Sequence, residues 1–170
     1  MEGESILQTT AEVSVALAGF TGVIAAFGQR GGRWTIINTL RFQVMLNASL
    51  AALFFSILPV AVHHMGAAPN ITWAMSSGLL ALYFVIMPSV DYRRARRIDA
   101  LQGDQFRMWL FVVTCCVVVV AIVTQGMNAL DIGFHRAFGP YLLGLCCVLL
   151  VCAFMFVRLL SFVGQQVAEE

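Results

Sequence analysis

Charge is scarce in this sequence, at only 11% of its 170 residues. That is too little to coat a water-soluble globule of this size. Lysine is missing altogether, and all ten basic residues are arginine. A net charge of +1 argues against nucleic acid as a partner. Basic residues are also lacking before the first apolar run, which follows Glu2 and Glu4, with Arg30 the first arginine. A cleavable signal peptide needs a positive leader segment, so none is expected. The sequence has no P-loop, G-x-G-x-x-G, H-E-x-x-H or serine-elbow pattern. Neither an enzyme nor a cofactor is expected on that basis. The five cysteines (Cys115, Cys116, Cys146, Cys147 and Cys152) all fall inside apolar runs, where they read as small packing residues rather than metal ligands.

What is abundant is hydrophobicity, at 60% of residues with a mean hydropathy of +0.86. Soluble domains hold about 45–50% apolar residues. Five apolar segments stand out: Ile6–Gly28, Phe42–Val62, Ile71–Val90, Met108–Thr124 and Ala137–Val163. A helix needs about 20 residues to cross the hydrocarbon core. The valine-rich fourth segment would suit a strand in water, but in lipid only a helix or a closed barrel satisfies the backbone. The expected fold is all-α: one transmembrane domain over residues 1–170, a polytopic bundle of five spans. The alternative is four spans, because Gln8, Thr9, Thr10 and Glu12 dilute the start of the first segment.

The arginines set the expected orientation. Arg30, Arg33 and Arg41 lie in the first connection, and Arg93, Arg94, Arg96, Arg97 and Arg107 in the third. The second and fourth connections hold only Arg136. By the positive-inside rule the N-terminus is outside and the C-terminus cytoplasmic. Trp73 and Trp109 stand where interfacial aromatics are expected, and Trp34 at the inner interface.

Three groups of residues are candidates for function. The first is a small-residue row at a spacing of four, Ser14, Ala18, Gly22 and Ala26 with Gly19 beside it, which suits close helix approach or a pore lining. Asn47 in the second span is expected to hydrogen-bond across helices. The second group is an outer polar cluster, Glu12, His63, His64, Asp131 and His135, with Asp131 and His135 on one face if their stretch is helical. The third is Arg93, Arg94, Arg96 and Arg97, suited to anionic lipid headgroups or a cytoplasmic partner. Pro59 and Pro88 each remove a backbone donor inside a span.

Leu17-Ala18-Gly19-Phe20-Thr21-Gly22, the Arg-rich loop and Ser56-Ile57-Leu58-Pro59 resemble small bacterial polytopic membrane proteins. That resemblance implies a multi-pass protein of a bacterial inner membrane and brings no activity. Leu17–Phe20, Ile57-Leu58-Pro59 and Trp73-Ala74-Met75-Ser76 are also similar to segments of the Orai calcium-channel family. The family's two functional glutamates would fall at Phe27 and Met87, and it has four spans with a cytoplasmic N-terminus. Calcium selectivity is therefore not implied. The leading expectation is a homo-oligomeric channel or permeation subunit. The alternative is a non-conducting scaffold or sensor acting through the Arg-rich cytoplasmic loop, with a membrane enzyme third.

Overall fold

The computed structural model describes residues 3–30, 35–102 and 108–168, with side chains over 3–26, 35–97 and 112–160. The described chain is five α-helices: α1 (Glu4–Arg30), α2 (Ile36–His64), α3 (Pro69–Gln102), α4 (Met108–Ala129) and α5 (Phe138–Ala168). All five are long and apolar enough to cross a membrane. The first segment is helical from Glu4 onward, so the five-span architecture replaces the four-span alternative. This is a multi-pass membrane protein by the length and composition of its helices.

Local sequence explains where the helices begin. Thr35 stands extended before α2, and its hydroxyl accepts from the Asn38 amide at 3.3 Å, meeting one orphan donor of the first turn. Pro69 occupies the first position of α3, where a missing N–H costs nothing. α4 runs on to Ala129, past the sequence-based end at Thr124. Gln125 and Asn128 thereby become helical residues rather than loop residues.

The centre of the bundle is α2 against α5, running antiparallel. Tyr141 meets Phe55 and Cys152 meets Ser49, so one register rises as the other falls. α1 packs on α2 and α5, while among the described residues it touches neither α3 nor α4. α3 pairs with α4 and with α2. Two ends result. One carries His63, His64, His135 and the start of α1, where the Phe138 ring covers Gly3. The other carries Arg41, Arg158 and the arginines of α3.

The core between the ends is mainly apolar, with Met45, Ala52, Leu80, Tyr141, Leu145 and Cys152 fully buried beside small hydroxyls such as Ser14 and Ser49. Large apolar side chains such as Phe20, Phe54, Val119 and Leu150 stand more than half exposed on the outside. In water such a belt would associate; in a bilayer it is the expected lipid contact. Trp73 departs from its expected interfacial role. It is 5% exposed, packed between Phe138 and Tyr141 at ring distances of 5.4 and 5.6 Å. The first turns of α3 meet α5 there, so the indole fills core instead of facing headgroups. Trp34 and Trp109 lie outside the residues whose side chains are described.

Candidate functional site

A concavity of about 500 Å³ lies in the arginine-bearing half, between α2, α3, α4 and α5. That size falls within the range of small-molecule sites. Its walls are apolar: Leu40, Val44 and Ala48 from α2, Phe84 and Met87 from α3, Val118 and Ile122 from α4, Val151 and Met155 from α5. Cys115 and Thr114 add small, weakly polar surface.

Arg41, Arg158 and Asp91 also line this cavity. Arg41 is half-buried, and its Nη1 donates to Asn38 Oδ1 at 3.1 Å. Asn38 is itself 1% exposed, so the carboxamide holding the guanidinium is fixed in the packed first turns of α2. Arg158 of α5 is half-buried too and lines the same cavity. Arg41 and Arg158 thus place two guanidinium groups beside an apolar wall. Asp91 supplies one negative charge and is coupled to Arg94, outside the cavity on the same helix. The arrangement is a mostly apolar pocket with two arginines and one aspartate among its described lining residues.

α3 joins this cavity to the arginine run. Its wall residues extend from Tyr83 to Ala95, and the helix continues unbroken to Gln102. At about 1.5 Å per residue its 34 residues span roughly 50 Å, well beyond the hydrocarbon thickness of about 30 Å. Arg93, Arg94, Arg96 and Arg97 are all exposed, with the Arg96 guanidinium 5.3 Å from the centre of the Tyr92 ring. Pro88 lies in the cavity wall and leaves the Phe84 carbonyl without its helical donor.

The other sequence candidates are placed differently. Ser14 is buried and Ala18 half-buried, but Gly19, Gly22 and Ala26 are exposed, with open space around both glycines. A spacing of four advances 40° beyond a full turn at each step, so the row winds off the packed face. The face of α1 that packs carries Leu7, Thr10, Ser14, Leu17, Thr21 and Ile24, at alternating spacings of three and four. Its hydroxyls serve their own helix: Thr10, Ser14 and Thr21 donate to the Ile6, Thr10 and Leu17 carbonyls at 2.8, 2.7 and 2.6 Å. Asn47 is exposed on the outside of α2 rather than directed at another helix of the chain.

The histidine-bearing end does not assemble all five polar candidates. Glu12 is exposed and accepts from Gln8 Nε2 at 3.1 Å. His63 and His64 stack edge to face at 6.1 Å, and the carboxylate whose field they share is Glu4. Asp131 and His135 approach to 3.9 Å, but not on a helix. Asp131, His135 and Arg136 all have positive φ, in a turn between α4 and α5. Among the described residues no three His, Cys, Asp or Glu side chains are grouped to hold one metal ion.

Sequence reasoning passed over Arg41 and Arg158 as topology markers, because only tertiary packing brings them together. It also passed over a buried amide pair near the histidine end. Asn128 Nδ2 donates to Ser77 Oγ at 2.8 Å and to the Ala137 carbonyl at 3.1 Å, while its Oδ1 accepts from the Ala137 amide at 2.9 Å. Gln125 Nε2 donates to the Pro140 carbonyl at 2.5 Å. Both are fully buried and tie the α4–α5 turn to the bundle. Comparison with protein-family models, curated proteins and solved structures finds no match to this chain.

Proposed function

We propose that this protein is a non-conducting membrane sensor that holds an amphiphile with an anionic headgroup and signals through the arginines of α3. One observation carries the reading: Arg41 and Arg158 both line a cavity whose other walls are mostly apolar. An acyl chain matches the walls, and a carboxylate or phosphate accepts hydrogen bonds from guanidinium groups, preferably in bidentate fashion. Under the positive-inside rule this end faces the cytoplasm. The headgroup then sits where basic pockets between helices commonly meet anionic lipids.

The signalling half of the proposal follows from α3. Its cavity wall contains Pro88, a point of lowered bending resistance, and Asp91, which is coupled electrostatically to Arg94. A ligand that packs against Phe84 and Met87 and draws on the charge around Asp91 alters the angle of α3 beyond Pro88. The exposed arginines move with that segment, changing what they present to headgroups or to a protein partner. No step in this scheme breaks a bond in the ligand, so the protein acts by binding and not as an enzyme.

A homo-oligomeric channel built on α1 has less support. The exposed side of α1 is polar only at its start, at Gln8, Thr9 and Glu12, and apolar from Val13 to Ala26, while its deeper hydroxyls bond to their own carbonyls. A pore would need a polar file along the whole span. Native mass spectrometry of the protein released directly from membranes tests the binding proposal. A bound acidic amphiphile that is lost from the Arg41→Gln, Arg158→Gln double variant supports it; protein carrying none, or only neutral lipid, contradicts it.

A further inference from the structure

The outward face of α2 has an order that lipid contact alone does not require. Gln43, Asn47, Leu50, Phe54, Ile57 and Ala61 are all exposed, at alternating spacings of four and three. Leu50, Phe54 and Ile57 are 49%, 56% and 53% exposed. An average spacing of 3.5 residues keeps the row straight along one side of a slightly supercoiled helix, the geometry of a left-handed helix pair. In heptad terms Asn47, Phe54 and Ala61 occupy a positions, and Gln43, Leu50 and Ile57 occupy d positions.

Asn47 is the anomaly within this row. If the hydrocarbon crossing begins at Phe42, Asn47 lies five residues deeper, roughly 7 Å inside the apolar region. Gln43 is near enough to the boundary to reach water, but Asn47 is not. No hydrogen bond joins the Asn47 side chain to another described residue. A carboxamide left unpaired in hydrocarbon is costly, because neither its oxygen nor its two N–H donors can find water. A second copy of this helix supplies what is missing. Two copies in one membrane share an orientation, so their α2 helices pair in parallel about an axis along the membrane normal. The two-fold places the a-position asparagines opposite each other, and each carboxamide both donates and accepts. A single asparagine at an a position is the device that fixes register and a two-stranded state in parallel helix pairs. Amide bonds across spans do the same work in lipid.

We propose that α2 is a homodimer interface along which the Asn47 carboxamides of two copies hydrogen-bond to each other across a two-fold axis. It is independent of the cavity, since Val44 and Ala48 face the cavity from another side of α2.

The test is energy transfer between donor- and acceptor-labelled full-length copies in liposomes, diluted progressively with lipid. A dimer is expected, with Asn47→Ala weakening its association by roughly tenfold. Oxidative cross-linking of Ile57→Cys copies, in a background lacking Cys116 and Cys146, is expected to trap that dimer, while Val15→Cys on the exposed side of α1 is not. A monomer at every dilution, a trimer or larger assembly, a dimer indifferent to Asn47→Ala, or cross-linking at Val15→Cys alone overturns the proposal. So does an Asn47→Ala chain that cannot fold, because that outcome requires the amide to act inside the bundle.

Discussion

The Tyr141 hydroxyl donates to the Phe55 carbonyl at 2.5 Å, and Phe55 is the residue whose helical donor Pro59 has removed. A proline four residues on leaves that oxygen unpaired within α2. α5 answers the vacancy from across the central interface, with a side chain that is 0% exposed. Tyr141→Phe is expected to destabilise the bundle by about 1–2 kcal/mol, the cost of an orphaned buried acceptor moderated by the membrane setting. Unfolding in mixed micelles measures it. In a Pro59→Ala background the backbone donor returns, and the same substitution should then cost clearly less. Equal costs in both backgrounds would mean the hydroxyl does not serve that carbonyl.

Gly144 is required where α4 crosses α5. A Cβ there would lie 2.5 Å from Gln125 Nε2 and 2.9 Å from a Leu80 methyl. Gln125 cannot easily swing aside, because its amide is held by the Pro140 carbonyl and is fully buried. Gly144→Ala should cost about 1–3 kcal/mol through overpacking. Gly22→Ala, with open space around it, should cost far less in the monomer. A ranking in the opposite order would contradict the packing described.

The sequence was informative about spans and poor about faces, for a physical reason. Apolar length is a one-dimensional property, so all five helices could be marked, although α2 begins six residues before its apolar run, α3 continues twelve residues past its own, and α4 and α5 each continue five. Lipid and core are both apolar, so nothing in composition separates the inward side of a span from the outward side. The row of Ser14, Ala18, Gly22 and Ala26 looked continuous in sequence, yet it rotates out of contact by its third member. Arg41 and Arg158 are 117 positions apart and line one cavity only because α2 and α5 pair antiparallel. Gln125 and Asn128 were legible in principle: two amides directly after an apolar run, read as loop although the helix had not yet ended.

Orientation is tested by labelling single cysteines placed in a cysteine-free chain. Ser5→Cys and Ala67→Cys should react with an impermeant reagent from outside the cell, and Arg97→Cys only after the membrane is opened. Reaction of Arg97→Cys in intact cells would reverse the topology and place the cavity mouth outside.

Coupling through α3 predicts an effect of Pro88. Restoring the helical donor with Pro88→Ala should stiffen the segment between Phe84 and the arginines. Spin labels at Ala67→Cys and Arg97→Cys should then show a smaller change of distance on addition of ligand than in the parent. An undiminished change would place the hinge elsewhere.

The central claim is that the Arg41 and Arg158 guanidinium groups select an anionic headgroup for the apolar cavity. Its most direct test is equilibrium binding of one long-chain fluorescent amphiphile in two forms, carboxylate and neutral methyl ester, to reconstituted protein. The account predicts saturable carboxylate binding, at least tenfold tighter than the ester, with that preference abolished in the Arg41→Gln, Arg158→Gln variant. Equal affinity for both forms, or a preference that survives loss of both arginines, would contradict it.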